Sequence, residues 1–130
     1  MLVDTDVLIW LTRGHPGAAA RLKQIELWRI SAVTYMELAQ GCRDEAELER
    51  FKNALTGRGT QIAPVTESIC ERAMRLIDRH ALADGLQLGD ALIAATALEH
   101  GLPLFTANIK HFSPIERLSV ERFDPTRDTA

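Results

Sequence analysis

The chain has 130 residues, 46% of them apolar and 25% charged, enough for one core-forming domain of ordinary soluble composition. No apolar run reaches the roughly 18 residues of a membrane span, and Asp4 stands where a secretory leader would be basic, so neither is expected. A net charge of −3, from 15 Lys and Arg against 18 Asp and Glu, excludes nucleic-acid binding driven by bulk charge, though not a nucleic acid held through a cation and local basic residues.

Short apolar runs alternate with longer helical periods, the pattern of an α/β domain with a largely parallel sheet. Met1–Asp4 reads as a first strand and Asp6–Thr12 as a helix, broken between Gly14 and Gly17. A helix over Ala18–Leu27, a strand over Trp28–Val33 and helices over Thr34–Cys42 and Asp44–Leu55 follow. Thr60–Val65 is a third strand, short or at an edge because Pro64 cannot donate to a ladder. Thr66 caps the next helix, which Ala83–Gly85 interrupts. Gln87 to His100 is apolar nearly all round and therefore central, and Gly101 stops it. Leu102–Thr106 is a fourth strand and Leu118–Val120 a possible fifth; residues 124–130 read as a tail. Cys42 and Cys70 match no metal spacing and read as idle thiols of a reducing cytoplasm.

Three carboxylates interrupt this apolar pattern: Asp4, Glu37 and Asp90. A carboxylate in an apolar stretch is costly to desolvate unless something pairs with it. Few basic residues lie nearby in sequence, so a metal ion is the natural partner. Ligands of open parallel sheets bind beyond the carboxyl ends of the strands. Asp4 ends the first strand, Glu37 follows the second by about one helical turn, and Thr106 and Asn108 follow the fourth. Asp90 opens the central helix, so distant segments are expected to deliver oxygen ligands to one rim. Carboxylate, hydroxyl and amide oxygens suit Mg²⁺ or Mn²⁺. His15, His80, His100 and His111 are too scattered for zinc. Without a glycine loop for nucleotide phosphates, the substrate tilts toward a phosphodiester chain.

The segments Leu2–Ile9, Ser31–Gly41 and Gly89–Asn108 resemble, in order and over essentially the whole chain, the PIN-domain ribonucleases, and among them the VapC-type toxins. The stretch from Gly89 to Asn108 is the most specific. The resemblance implies a three-layer domain over residues 1–123, with a central, mainly parallel sheet of four to five strands flanked by helices, and a flexible tail at 124–130. It implies a cytoplasmic, Mg²⁺- or Mn²⁺-dependent endoribonuclease acting on RNA, usually homodimeric and held inactive by a cognate antitoxin. Asp4, Glu37 and Asp90 match the family's three acids, Thr106 a supporting hydroxyl and Asp6 an accessory polar position. A fourth acid is common at the positions of Asn108 or His111, and this chain has neither. One cation held by Asp4 and Asp90, with Glu37 and Asn108 partly through water, is the resulting expectation.

Plainer readings stand beside these. Asp4, Asp6 and Asp90 each suit a helix N-terminus, and Thr34 with Glu37 spells a capping box. Arg13, Arg43 and Lys110 are candidates to ring the pocket and meet RNA phosphates, whereas Arg72, Arg75 and Arg79 read as a solvated helix face. The paired aspartates at 4 and 6 also fit a haloacid-dehalogenase-like phosphatase, but Ala94 replaces the later acid such an enzyme needs. A non-catalytic RNA-binding or protein-interaction module of the same fold is the other alternative.

Overall fold

The computed structural model describes residues 1–129 and consists of five short strands and seven helices. In chain order these are β1 (Leu2–Val3), α1 (Thr5–Thr12), α2 (Pro16–Lys23), β2 (Arg29–Ser31), α3 (Ala32–Gln40) and α4 (Glu45–Gly57). There follow β3 (Gln61–Ala63), α5 (Glu67–Asp84), α6 (Leu88–His100), β4 (Leu104–Thr106), α7 (Ile109–Phe112) and β5 (Val120–Arg122). The sheet order is β3-β2-β1-β4-β5 and every pairing is parallel. β3 lies at an edge, as Pro64 requires.

The layering follows from the period of two along a strand. Leu2 and Leu104 face one way and are buried with Ala73, Ala91, Ile93 and Phe112 from α5, α6 and α7. Val3, Ile30 and Phe105 face the other way, against Val7 and Leu8 of α1, Leu22 of α2 and Leu55 of α4. Helices therefore cover both faces of the sheet. α6 is the inner helix, with Ala91, Ala94, Ala95, Thr96 and Ala97 all buried. Small side chains there let α5 lie close alongside. Both helices stop at glycines in the left-handed region, Gly85 at φ 73° and Gly101 at φ 62°.

Several boundaries differ from those read in the sequence, each for a local reason. Strand β2 stops at Ser31, whose hydroxyl caps Val33 N–H at 3.0 Å, so α3 begins at Ala32 and not at Thr34. The capping box at Thr34 and Glu37 is thereby ruled out: Thr34 is fully buried inside the helix. Helix α2 starts earlier, at Pro16, because the His15 ring accepts Ala18 N–H at 3.1 Å. Helix α5 continues through Ala83 and Asp84 and ends only at Gly85. Strand β5 sits two residues later than Leu118–Val120, and α7 lies where no element was expected.

The segment read as a tail makes side-chain contacts of its own. Asp128 Oδ2 pairs with Arg21 at 2.9 Å and accepts Asp124 N–H at 2.8 Å, while His15 Nε2 lies 2.8 Å from the carbonyl of Pro125. Residues 124–128 are thus fastened to α2. Gly17 makes this possible, because the Asp128 carbonyl oxygen lies 1.5 Å from where a Cβ would stand. Ala130 lies outside the described residues.

Candidate active site

Asp4 is the residue between β1 and α1, and its side chain is 4% exposed. Oδ1 accepts the N–H of Thr5 at 2.8 Å and Oδ2 accepts the hydroxyl of Thr106 at 2.7 Å. β4 is hydrogen-bonded beside β1, so Thr106 at its end meets Asp4 across 102 residues of sequence. The same hydroxyl accepts Asn108 N–H at 2.9 Å and stands 3.4 Å from Asp6 Oδ2. Asp6 Oδ1 accepts Ala107 N–H at 3.2 Å. Thr106 and Asp6 thus bring a hydroxyl and a carboxyl beside Asp4 at one corner of the sheet.

Burial raises the Asp4 carboxyl well above its usual range, and the neighbouring charges of Asp6 and then Asp90 add to the rise. Hydrogen bonds from Thr106 and Thr5 oppose it without cancelling it. Asp6 is raised too, chiefly by burial. The two carboxyls are close enough to titrate as a pair, which holds a proton above the ordinary carboxylate pH range. Among the described residues, no Lys or Arg forms an ion pair with Asp4, Asp6, Glu37 or Asp90.

Glu37 approaches from α3. Its Oε1 accepts the hydroxyl of Thr5 at 2.7 Å, and that hydroxyl lies 3.0 Å from Thr34 Oγ1. Its Oε2 lies against α6, where a Cβ on Gly89 would come within 3.2 Å. Glycine at that position makes room for the carboxylate. Asp90, one residue on, is the third residue of α6; Oδ2 accepts Gln87 N–H at 3.2 Å and lies 2.9 Å from His111 Nδ1. Its capping role is therefore real, alongside membership of the acid group. His111 Nδ1 also lies 2.9 Å from the Asn108 side-chain amide. A single N–H serves both neighbours if the Asn108 amide presents its oxygen.

The four expected segments thus reach one rim, but they do not close into a finished ligand set. Among the described residues, no three acidic, histidine or cysteine side chains converge as one. Each acid is instead braced by a partner: Asp4 by Thr106, Glu37 by Thr5 and Asp90 by His111. The bracing leaves acceptor capacity over. Asp4 makes one hydrogen bond per oxygen, and both bonds to Asp90 fall on Oδ2. Buried carboxyls with acceptor oxygens to spare are the donor chemistry that fits a hard divalent ion.

Thr5 and His111 were not anticipated as participants. Thr5 is hidden by its ordinary place in a first helical turn. His111 follows Asn108 by three residues, the spacing that brings two side chains together on α7. Of the basic candidates, Arg13 stacks over Trp10 with its guanidinium 5.9 Å from the ring centre. Arg43 pairs with Glu47 at 3.0 Å while remaining 88% exposed. Both border a cleft of about 710 Å³ among α1, α3 and α4 that has Glu37 in its wall. Lys110 is exposed on α7 beside His111. The three therefore flank the hollow from different sides and do not form one basic patch.

The sequence model of the PIN domain matches residues 1–117. Ribonuclease VapC10 of Mycobacterium tuberculosis (strain H37Rv) is 36% identical over 122 residues, which span 91% of this chain and 90% of that protein. Ribonuclease VapC19 of the same strain is 34% identical over 118 residues, 85% and 90% respectively. Among solved structures, a toxin–antitoxin complex from Klebsiella pneumoniae matches with a TM-score of 0.78 and 33% identity, covering 95% of this chain and 96% of that one. VapBC-1 from nontypeable Haemophilus influenzae matches at 0.74 and 28% identity, covering 93% and 96%.

Proposed function

The chain belongs to the PIN domain family, as a ribonuclease toxin of the VapC type, and on that premise we propose that it is a divalent-metal-dependent endoribonuclease restrained by a cognate antitoxin. One observation carries the metal dependence: the buried carboxyls of Asp4 and Asp6 meet at Thr106, each raised chiefly by burial and Asp4 further by the charge of Asp6, with no Lys or Arg of the described residues paired to either. Asp4 and Asp90 would hold Mg²⁺ or Mn²⁺, with Glu37 and Asn108 contributing partly through water. Once bound, such an ion lowers the pKa of water and draws charge from a phosphate oxygen.

The chain's own side chains do the rest. Thr106 fixes Asp4 by a 2.7 Å hydrogen bond, and His111 fixes Asp90 through Oδ2. Glu37, turned by Thr5 toward the start of α6, is the group to orient the attacking water and take its proton. His111 and Asn108 stand where the family resemblance places a fourth acid, and the lack of that carboxylate at His111 in particular favours one ion over two. A homodimer in the cytoplasm is the matching setting, and an antitoxin would silence the hollow by extending a basic side chain into it.

The test is cleavage of RNA by the antitoxin-free protein. Cutting is expected with Mn²⁺ or Mg²⁺ and none with excess EDTA. Asp4→Asn and Asp90→Asn should each abolish it, and His111→Ala should raise the Mn²⁺ concentration required by about tenfold, as loss of a group orienting a ligand does. Cutting that survives EDTA would overturn the metal reading.

A further inference from the structure

Away from the acids, a groove of about 300 Å³ runs between α5, α6 and the turn that follows α7. Arg72, Arg75 and Arg79 line it from α5, and Arg117 from the opposite side. Spacings of three and four residues bring the three α5 guanidiniums onto one helix face. Two carboxylates answer these four charges. Glu99 binds Arg72 at 2.8 Å, whereas Glu116 stands 3.9 Å from Arg79 with both side chains mostly exposed. Arg75 and Arg117 form no ion pair among the described residues. The groove therefore keeps a surplus of two positive charges on a protein whose net charge is −3.

Arg117 is singular in a second way. Its φ of 67° makes it the only non-glycine residue in the left-handed region among those described. That conformation crowds the Cβ of any residue but glycine, so arginine is strained there. The turn holding it is anchored by Phe112 and Ile115, which are buried. Arg117 thus lines the groove together with the arginine row, from a turn that buried side chains anchor.

The position relates the groove to the acid site. Gly85 abuts His111, the partner of Asp90, since a Cβ there would lie 3.8 Å from His111 Nε2. Arg79 is six residues earlier on α5, on the order of 9 Å along a helix. Arg117 is six residues after His111 in sequence. The groove therefore opens a few phosphates away from the acids, measured along a nucleic-acid strand.

We propose that this groove is a phosphate-binding exosite, in which Arg75 and Arg117 hold the sugar–phosphate backbone of the RNA a few nucleotides from the bond that is cut. The exosite rests on the ribonuclease reading of the acid site, but binding to it requires no cleavage. Phosphate contacts of this kind position a strand without reading its sequence. They also let an acidic protein hold a polyanion next to a hollow of carboxylates.

The test uses full-length, antitoxin-free protein and fluorescein-labelled RNAs of 20 and about 4 nucleotides, the shorter spanning too few phosphates to bridge hollow and groove. Arg117→Gly removes the guanidinium and relieves the backbone strain, so unfolding cannot explain its effect. Combined with Arg75→Ala, it should weaken binding of the 20-mer in EDTA by tenfold or more. The slope of log K against log salt should become shallower by about 1.4, as expected for two lost contacts to a single strand. With Mn²⁺, KM for the long RNA should rise while kcat and cleavage of the short RNA stay unchanged. Unaltered affinity and slope would overturn the exosite, as would an equal loss for both RNAs. If no RNA is cut under any condition the nuclease reading fails instead, and the EDTA measurement still decides the groove.

Discussion

Asp4 sets the terms at the scale of single residues. Its carboxyl ionises near pH 4 in an unfolded chain but is raised well above that in the fold, first by burial and then by Asp6. The folded protein therefore keeps a proton that the unfolded chain has released. Stability associated with this group is fully present below about pH 4 and is lost as pH rises through the raised folded value. Glu99, lowered chiefly by its bond to Arg72, and Asp124, lowered chiefly by Thr126, act oppositely at more acid pH, so the window to read lies above about pH 4.5. Asp4→Asn keeps a side-chain oxygen for Thr5 N–H and removes the ionisation. In urea titrations without metal it should be at least as stable as the parent at pH 7, with a flatter pH profile. Mn²⁺ at 100 times its Kd should add about 2.7 kcal/mol to the parent and nothing to the variant. A variant clearly weaker at pH 7 would return Asp4 to the role of a simple helix cap. Gly89 offers a complementary case. A methyl group there would stand 3.2 Å from Glu37 Oε2, while helix propensity favours alanine by up to about 1 kcal/mol. Gly89→Ala should leave the melting temperature level or higher and still lower kcat, because Glu37 is displaced; unchanged kcat would remove Glu37 from the chemistry.

Among elements, α2 and the C-terminal turn depend on one another. Gly17→Ala places a Cβ where the Asp128 carbonyl now sits, so residues 124–128 must lift away and Arg21 loses its 2.9 Å partner. The expected result is a loss on the order of 1 to 3 kcal/mol, with new proteolytic cleavage after Phe123. An unchanged urea midpoint would mean that the turn contributes nothing. This contact explains what the sequence could and could not convey about the fold. The alternation of elements, the inner position of α6 and the edge position of β3 were legible, because each follows from composition over a whole window. The fastening of the tail was not, since a charged, turn-prone ending gives no sign of the helix it will meet. The site divides along the same line. Asp4, Glu37, Asp90 and Thr106 were legible because polar groups in apolar surroundings need a reason. His111 was not, because its partner Asp90 lies 21 residues away and only the α6–α7 packing joins them. The arginine row reads as a solvated face and is one, with Arg75 and Arg79 exposed; what the sequence could not convey is that Arg117, from a distant turn, lines the same groove.

For the molecule as a whole, the consequential feature is that β1 is the middle strand of the sheet, with β4 as one of its two neighbours. Residues 1–103 contain six of the seven helices but lack β4, Phe105, Phe112 and Phe123, all buried. This fragment should give no cooperative thermal transition by circular dichroism, whereas the full chain melts in one step; a cooperative fragment would show that the first three strands form an independent core. Ordering in time follows from ordering in space. Asp4 is made 102 residues before the Thr106 that steadies it, so the acid corner cannot assemble until β4 has followed β1 out of the ribosome. A message broken or stalled before β4 is encoded should therefore yield a polypeptide without the assembled acid corner.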